Sequence, residues 1–146
     1  MKRFVFPLQQ IRSWNATRLQ LEQTELEGVI ERQRLIEEAF SQIRLQQSEL
    51  EHQTLHQALI DSSELMRIEQ FRHYAAKEGQ RLLLAHAEFA KQVAERRARI
   101  VELKRKIELL DRLRERQYEA WLAEESKELQ SAADEAFLQK LVAKRL

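Results

Sequence analysis

The stretch AAKEGQRLLLAHAEFAKQVAERRARIVELKRKIELL, residues 75–110, decides the fold. Stepping alternately by four and three from Ala75 meets Gly79, Leu82, His86, Phe89, Val93, Arg96, Ile100, Leu103, Ile107 and Leu110, and eight of these eleven are apolar. That spacing is the seam of a coiled coil. No proline interrupts it, and its one glycine, Gly79, falls on the seam itself. A partner helix is therefore needed to cover one face, and the chain supplies a candidate upstream.

Between residues 15 and 54 the same alternation selects Asn15, Leu19, Glu22, Leu26, Val29, Gln33, Ile36, Phe40, Ile43, Gln47, Leu50 and Thr54. Seven of the twelve are apolar. The five polar ones weaken this half of the seam, while buried polar residues in coiled coils can fix register. The first helix is expected to depend on the second for its stability.

The two patterns meet at His56-Gln57-Ala58-Leu59-Ile60-Asp61-Ser62-Ser63-Glu64. Asp61 as N-cap puts Glu64 at the third helical position, the spacing of a capping box. At the other end, Pro7 suits the first position of a helix, where its missing N–H costs no hydrogen bond. The expected fold is all-α, a long two-helix antiparallel coiled coil in a single domain over residues 1–146. Its first helix spans about 7–58, its turn about 59–63 and its second helix about 64–142. The alternative is one unbroken helix, since neither Gly nor Pro marks the turn.

An antiparallel fold about residues 60–63 pairs residue i with a residue near 124 minus i, setting Trp14 near Leu110 and Phe4 near Ala120. From about Trp121 onward the second helix then has no partner, an overhang on the order of 40 Å at about 1.5 Å per residue. Leu122, Leu129, Ala133, Phe137 and Leu141 still recur at helical spacing there. An unpaired apolar stripe calls for another surface. Another protein is the expected occupant, and a second copy of the chain is the alternative.

Composition bounds the function. Of 146 residues 34% are charged, Gly occurs twice, Pro once and Cys not at all. A two-helix rod has a seam but no enclosed cleft, so its many carboxylates gain neither the desolvation nor the fixed geometry that acid–base catalysis requires. No phosphate-binding loop is present, and no cofactor is expected. The chain is expected not to be an enzyme. Without Cys there is no thiolate nucleophile or Cys-based zinc site, which suits the cytoplasm. His52 and His56 stand four apart, but a zinc site needs further ligands. His86 falls on the seam with no acid partner evident in the sequence.

The run Phe4-Val5-Phe6-Pro7-Leu8 after Lys2 and Arg3 is too short for a secretory signal or a bilayer span. No direct membrane insertion is expected, and the acidic residues beside the C-terminal stripe are unlike the basic polar face of an interfacial helix.

Net charge is +1, unevenly placed. Lys91 to Arg116 holds ten bases against five acids, whereas Glu119 to Glu135 holds six acids against Lys127 alone. A basic helix could track phosphates, but the interleaved acids weaken the electrostatic attraction that dominates nucleic-acid binding, and no nucleic-acid partner is expected.

The ordered set of short motifs resembles the flagellar export family FliJ and its injectisome relatives of the YscO type. Phe4-Val5-Phe6-Pro7-Leu8-Gln9-Gln10-Ile11 is similar to the basic, Phe-rich start of that family, and Ile68-Glu69-Gln70-Phe71 resembles the beginning of its second helix. Leu113-Arg114-Glu115-Arg116-Gln117, Trp121 and Asp134-Glu135-Ala136-Phe137 resemble elements of its last third. Residues 51–61 depart from the glycine-rich tip of some members.

The resemblance covers nearly the whole chain. It implies a non-enzymatic component of the type III export apparatus, shaped like the central stalk of a rotary ATPase. Its partners would be the hexameric export ATPase ring, the membrane-embedded export gate and export chaperones. Ring contacts would come from Arg112, Arg114, Arg116, Gln117, Trp121, Glu124, Glu125, Phe137 and Leu141, and gate contacts from Phe71, His73 and Tyr74. Glu119 belongs to the same charged cluster. A self-associating structural coiled coil shares every heptad and is the alternative; a nucleic-acid-binding basic helix is a weaker one.

Overall fold

The computed structural model describes residues 2–57 and 59–145. Within them the chain forms two α-helices, α1 (Gln9–Leu55) and α2 (Ser62–Arg145), which pack against each other with no β-strand. It divides into two compact units, Gln20–Val101 and Met1–Leu19 with Glu102–Leu146.

In the unit Gln20–Val101 the helices run antiparallel, as three cross-helix polar contacts show: Arg96 with Glu22 at 3.0 Å, His86 with Glu37 at 2.9 Å and Arg72 with Glu51 at 3.2 Å. Every seam position expected here, from Glu22 to Thr54 and from Ala75 to Ile100, is buried or half-buried. The heptad spacing thus carries through the polar positions as well. Val29, Leu82, Val93 and Ile100 are the most enclosed apolar residues, and Gly79 lets the Phe40 ring approach within 3.6 Å of where a Cβ would stand.

The seam's polar members are satisfied rather than stranded, as burial in a low dielectric demands. Glu22, 8% exposed, accepts from Arg96, which also pairs with Glu25, and Arg99 approaches Glu22 at 3.8 Å. Thr54 donates its hydroxyl to the Leu50 carbonyl at 2.9 Å. His86 has an acid partner after all: its Nε2 lies 2.9 Å from Glu37 Oε1. Glu37 is off the heptad seam, so a search confined to seam positions passes over it. Among the described residues no buried side-chain polar atom lacks a partner.

The break between the helices has a local cause at each end. After Leu55 the Gln57 N–H turns to the Thr54 carbonyl, three residues back, and the last turn tightens. The helix therefore ends short of the expected 58, and Ala58 lies outside the described residues. At the start of α2 the Glu64 and Leu65 N–H groups both donate to the Asp61 carbonyl, and the Ser63 hydroxyl donates to the Asp61 carboxylate at 2.9 Å. The Ser63 hydroxyl, followed by the Ser62 N–H, holds the Asp61 carboxyl below the ordinary aspartate range. Asp61 is the N-cap, but Glu64 does not complete a reciprocal box. It faces Gln57, whose amide nitrogen donates to both its carboxylate oxygens, at 2.6 and 3.1 Å, in the orientation that satisfies both groups.

In the other unit, Phe6-Pro7-Leu8-Gln9 forms a turn closed by the Gln9 N–H on the Phe6 carbonyl at 3.2 Å, with Pro7 at the position where its fixed φ fits best. That turn delays the start of α1 to Gln9, two residues beyond Pro7. Phe6 is buried, as are Asn15 and Leu103, with Leu19, Ile107 and Leu110 half-buried beside them. Arg12 reaches Asp111 at 3.0 Å, close to the expected register, and the Asp111 carboxylate raises the Arg12 pKa by hydrogen bond first and charge second. Trp14, off the seam, is exposed with the Arg18 guanidinium 5.0 Å above its ring.

Candidate protein-docking surface

The residues expected to contact an ATPase ring all lie on α2, and packing sorts them into two groups. Gln117 and Trp121 continue the heptad spacing past Leu110 and are half-buried. Trp121 stacks on Tyr118, with centroids 6.0 Å apart and planes at 19°, and both rings meet Phe4, at 6.0 Å from Trp121 and 5.3 Å from Tyr118. An aromatic cluster of this kind anchors the segment before α1 against α2. Trp121 is thus partly committed to internal packing, which leaves it less surface for a partner than the sequence suggested.

Phe4 and Tyr118 stood outside the expected site. The signal was in the register, since a chain that sets Phe4 near Ala120 also sets it near the two aromatic residues flanking that alanine.

Arg112, Arg114, Arg116, Glu119 and Glu124 are exposed. Arg112 donates to Glu108 one turn back at 2.7 Å, an exposed pair of small energetic weight. Glu125 is half-buried and is the last such residue of α2: from Ser126 to Arg145 every described residue is exposed. Phe137 is 63% exposed and Leu141 42%, and with Lys140, Ala143 and Lys144 they line a shallow open groove. Leu138 and Val142 are also exposed, so the apolar surface is wider near its end than the stripe through Leu122, Leu129, Ala133, Phe137 and Leu141. Leu138 and Val142 fall on the continued heptad spacing of α2, beside that stripe rather than on it.

At the other candidate contact, Phe71 lies one helical turn before Ala75 and is half-buried, while Tyr74 is exposed with its ring 5.9 Å from that of Phe71. His73 is exposed, its Nε2 3.9 Å from Glu69. One helical turn brings the three together, but only His73 and Tyr74 present most of their surface outward.

The His52 and His56 rings lie with centroids 4.1 Å apart and planes tilted at 45°, and no third His, Cys, Asp or Glu joins them in a metal-binding group among the described residues. Within the same residues no helix is long and apolar enough to cross a membrane. No protein-family model, curated protein or solved structure matches the chain. What the surface can do is therefore a question for its own chemistry, an apolar stripe flanked by charge, which suits the side-by-side packing of another helix.

Proposed function

We propose that this chain is a non-enzymatic coiled-coil component of a type III protein export apparatus, cytoplasmic and peripheral to the inner face of the membrane. The C-terminal part of α2 docks into the hexameric export ATPase ring, and the residues around Phe71, His73 and Tyr74 face the export gate. Export chaperones are further partners. The observation that carries the reading is the exposure of Leu129, Phe137 and Leu141 on a continuous helix that has no buried residue after Glu125. The resemblance of the motifs around Phe4, Ile68, Leu113 and Asp134 to the export family narrows the partner.

A stalk of this kind does no chemistry. It changes the hydrolysis rate only by binding one arrangement of the ring more tightly than another, and the coupling is limited to that difference in affinity. Phe137→Asp with Leu141→Asp puts two charges on the exposed stripe without touching the seam. The double variant keeps its helical content and loses binding to the ATPase in sedimentation; unchanged binding would remove the stripe from the mechanism.

A second reading, a self-associating coiled-coil scaffold, draws on the generic two-helix packing and on the same stripe, which a second copy could cover. It needs no ATPase. Stable self-association with no effect on hydrolysis would favour it.

A further inference from the structure

We infer that the C-terminal stretch of α2 pairs with the same stretch of a second copy, and that the two run antiparallel. This rests on the second, self-association reading, in which a second copy rather than an ATPase ring covers the stripe, and adds to it an orientation and the charges that impose it.

Two blocks of opposite charge lie on one exposed helix. Residues 119–135 hold six acids and one base, whereas residues 140–145 hold Lys140, Lys144 and Arg145 and no acid. The apolar surface runs through both: Leu122, Leu129, Phe137 and Leu141 are all exposed. Lys140 and Lys144 line the same groove as Phe137 and Leu141, so the basic block borders the apolar surface where a partner's flanking residues would arrive.

A parallel pair sets acid beside acid and base beside base, and like charges at flanking positions of a coiled coil oppose that orientation. An antiparallel pair about a two-fold axis near Ala133 sets the basic residues 140–145 of each copy beside residues 121–126 of the other, which hold Glu124 and Glu125. The same axis brings Leu129 of one copy beside Phe137 of the other and satisfies both ends at once, as an isologous contact must. Apolar burial supplies the attraction, and charge selects the direction.

The chain has no cysteine, so single introduced cysteines report orientation without background. Sedimentation equilibrium first establishes whether the chain dimerises. Ser126→Cys and Gln139→Cys proteins are then treated with a short bis-maleimide, separately and mixed. Antiparallel pairing gives cross-linked dimer in the mixture and little in either protein alone. Cross-linking of each protein with itself, and not across the mixture, shows a parallel dimer and overturns the orientation while leaving self-association standing. A monomer at all concentrations overturns both.

The triple variant Lys140→Glu, Lys144→Glu, Arg145→Glu tests the cause. All three residues are exposed, so its helical signal is retained, and its dimer dissociation constant rises at least about tenfold, equal to about 1.4 kcal/mol. Raising salt to about 0.5 M, where exposed charges are screened within a few ångström, weakens the wild-type dimer and strengthens the triple variant's. Equal affinity of the two proteins at low salt would show that charge does not select the direction.

Discussion

Gly79→Ala and Gly28→Ala form a matched pair of perturbations, because both glycines are interior to long helices in the unit Gln20–Val101 and only one is at the seam. Replacing an interior helical glycine by alanine stabilises by about 1 kcal/mol through backbone entropy. At Gly28 a Cβ meets nothing within 4 Å, so that gain is the whole effect. At Gly79 the Cβ sits 3.6 Å from Phe40 Cε2, an ordinary van der Waals contact, and the residue is half-buried. Roughly half of the ~0.8 kcal/mol for a buried methylene adds to the entropic gain, for about 1.4 kcal/mol in all. Urea titration followed by helical circular dichroism reads both, the midpoints rising at unchanged slope. A destabilised Gly79→Ala beside a stabilised Gly28→Ala would refute the packing, since it would mean that Phe40 lies closer to the α2 backbone than the space seen here allows.

Three further outcomes follow from the seam and the cap. Arg96→Ala strands the buried Glu22 carboxylate and costs about 1–3 kcal/mol; adding Glu22→Leu restores most of it in the same urea titration, and a double variant no better than the single would show that Arg96 contributes through packing alone. Because Asp61 is held below the ordinary aspartate range by the Ser63 hydroxyl, its stabilising contribution is present above the unfolded-state value and is lost as pH falls through the lower folded value. Below about pH 4, the melting temperature of wild type should therefore fall further than that of Asp61→Asn, and parallel acid limbs would contradict the cap. Trp121→Ala removes the ring that stacks on Tyr118 and meets Phe4, so exchange of the Gln9 amide, which closes the turn on Phe6, should quicken while exchange in the Gln20–Val101 unit stays constant; unchanged protection of that amide would mean that Tyr118 alone holds the segment.

The helices were legible because a coiled-coil seam repeats its pattern many times. Residues such as Gln33, Gln47 and Arg96, which no hydropathy scale would place inside, were assigned to the seam by phase alone, and all three are half-buried. Positions governed by a single local contact were less legible. The turn at Phe6–Gln9 moves the start of α1, and Gln57 draws Glu64 away from the capping box, through individual hydrogen bonds that leave no periodic trace. His86 hid its partner for a related reason, since Glu37 reaches it from outside the heptad face. On the docking surface the stripe through Leu129, Phe137 and Leu141 was readable as amphipathic spacing, and Leu138 and Val142, which fall on the continued heptad spacing of α2, widen it. The withdrawal of Trp121 into the Phe4–Tyr118 cluster depends on three-body packing that a one-dimensional pattern does not encode.

The most direct test of the stalk proposal is the ATP hydrolysis rate of the export ATPase from the same organism, at concentrations where its ring only partly assembles, with the full chain and with the Phe137→Asp, Leu141→Asp variant. Stimulation by the full chain that the double variant fails to give is the predicted result. An ATPase indifferent to the folded, helical chain would contradict it.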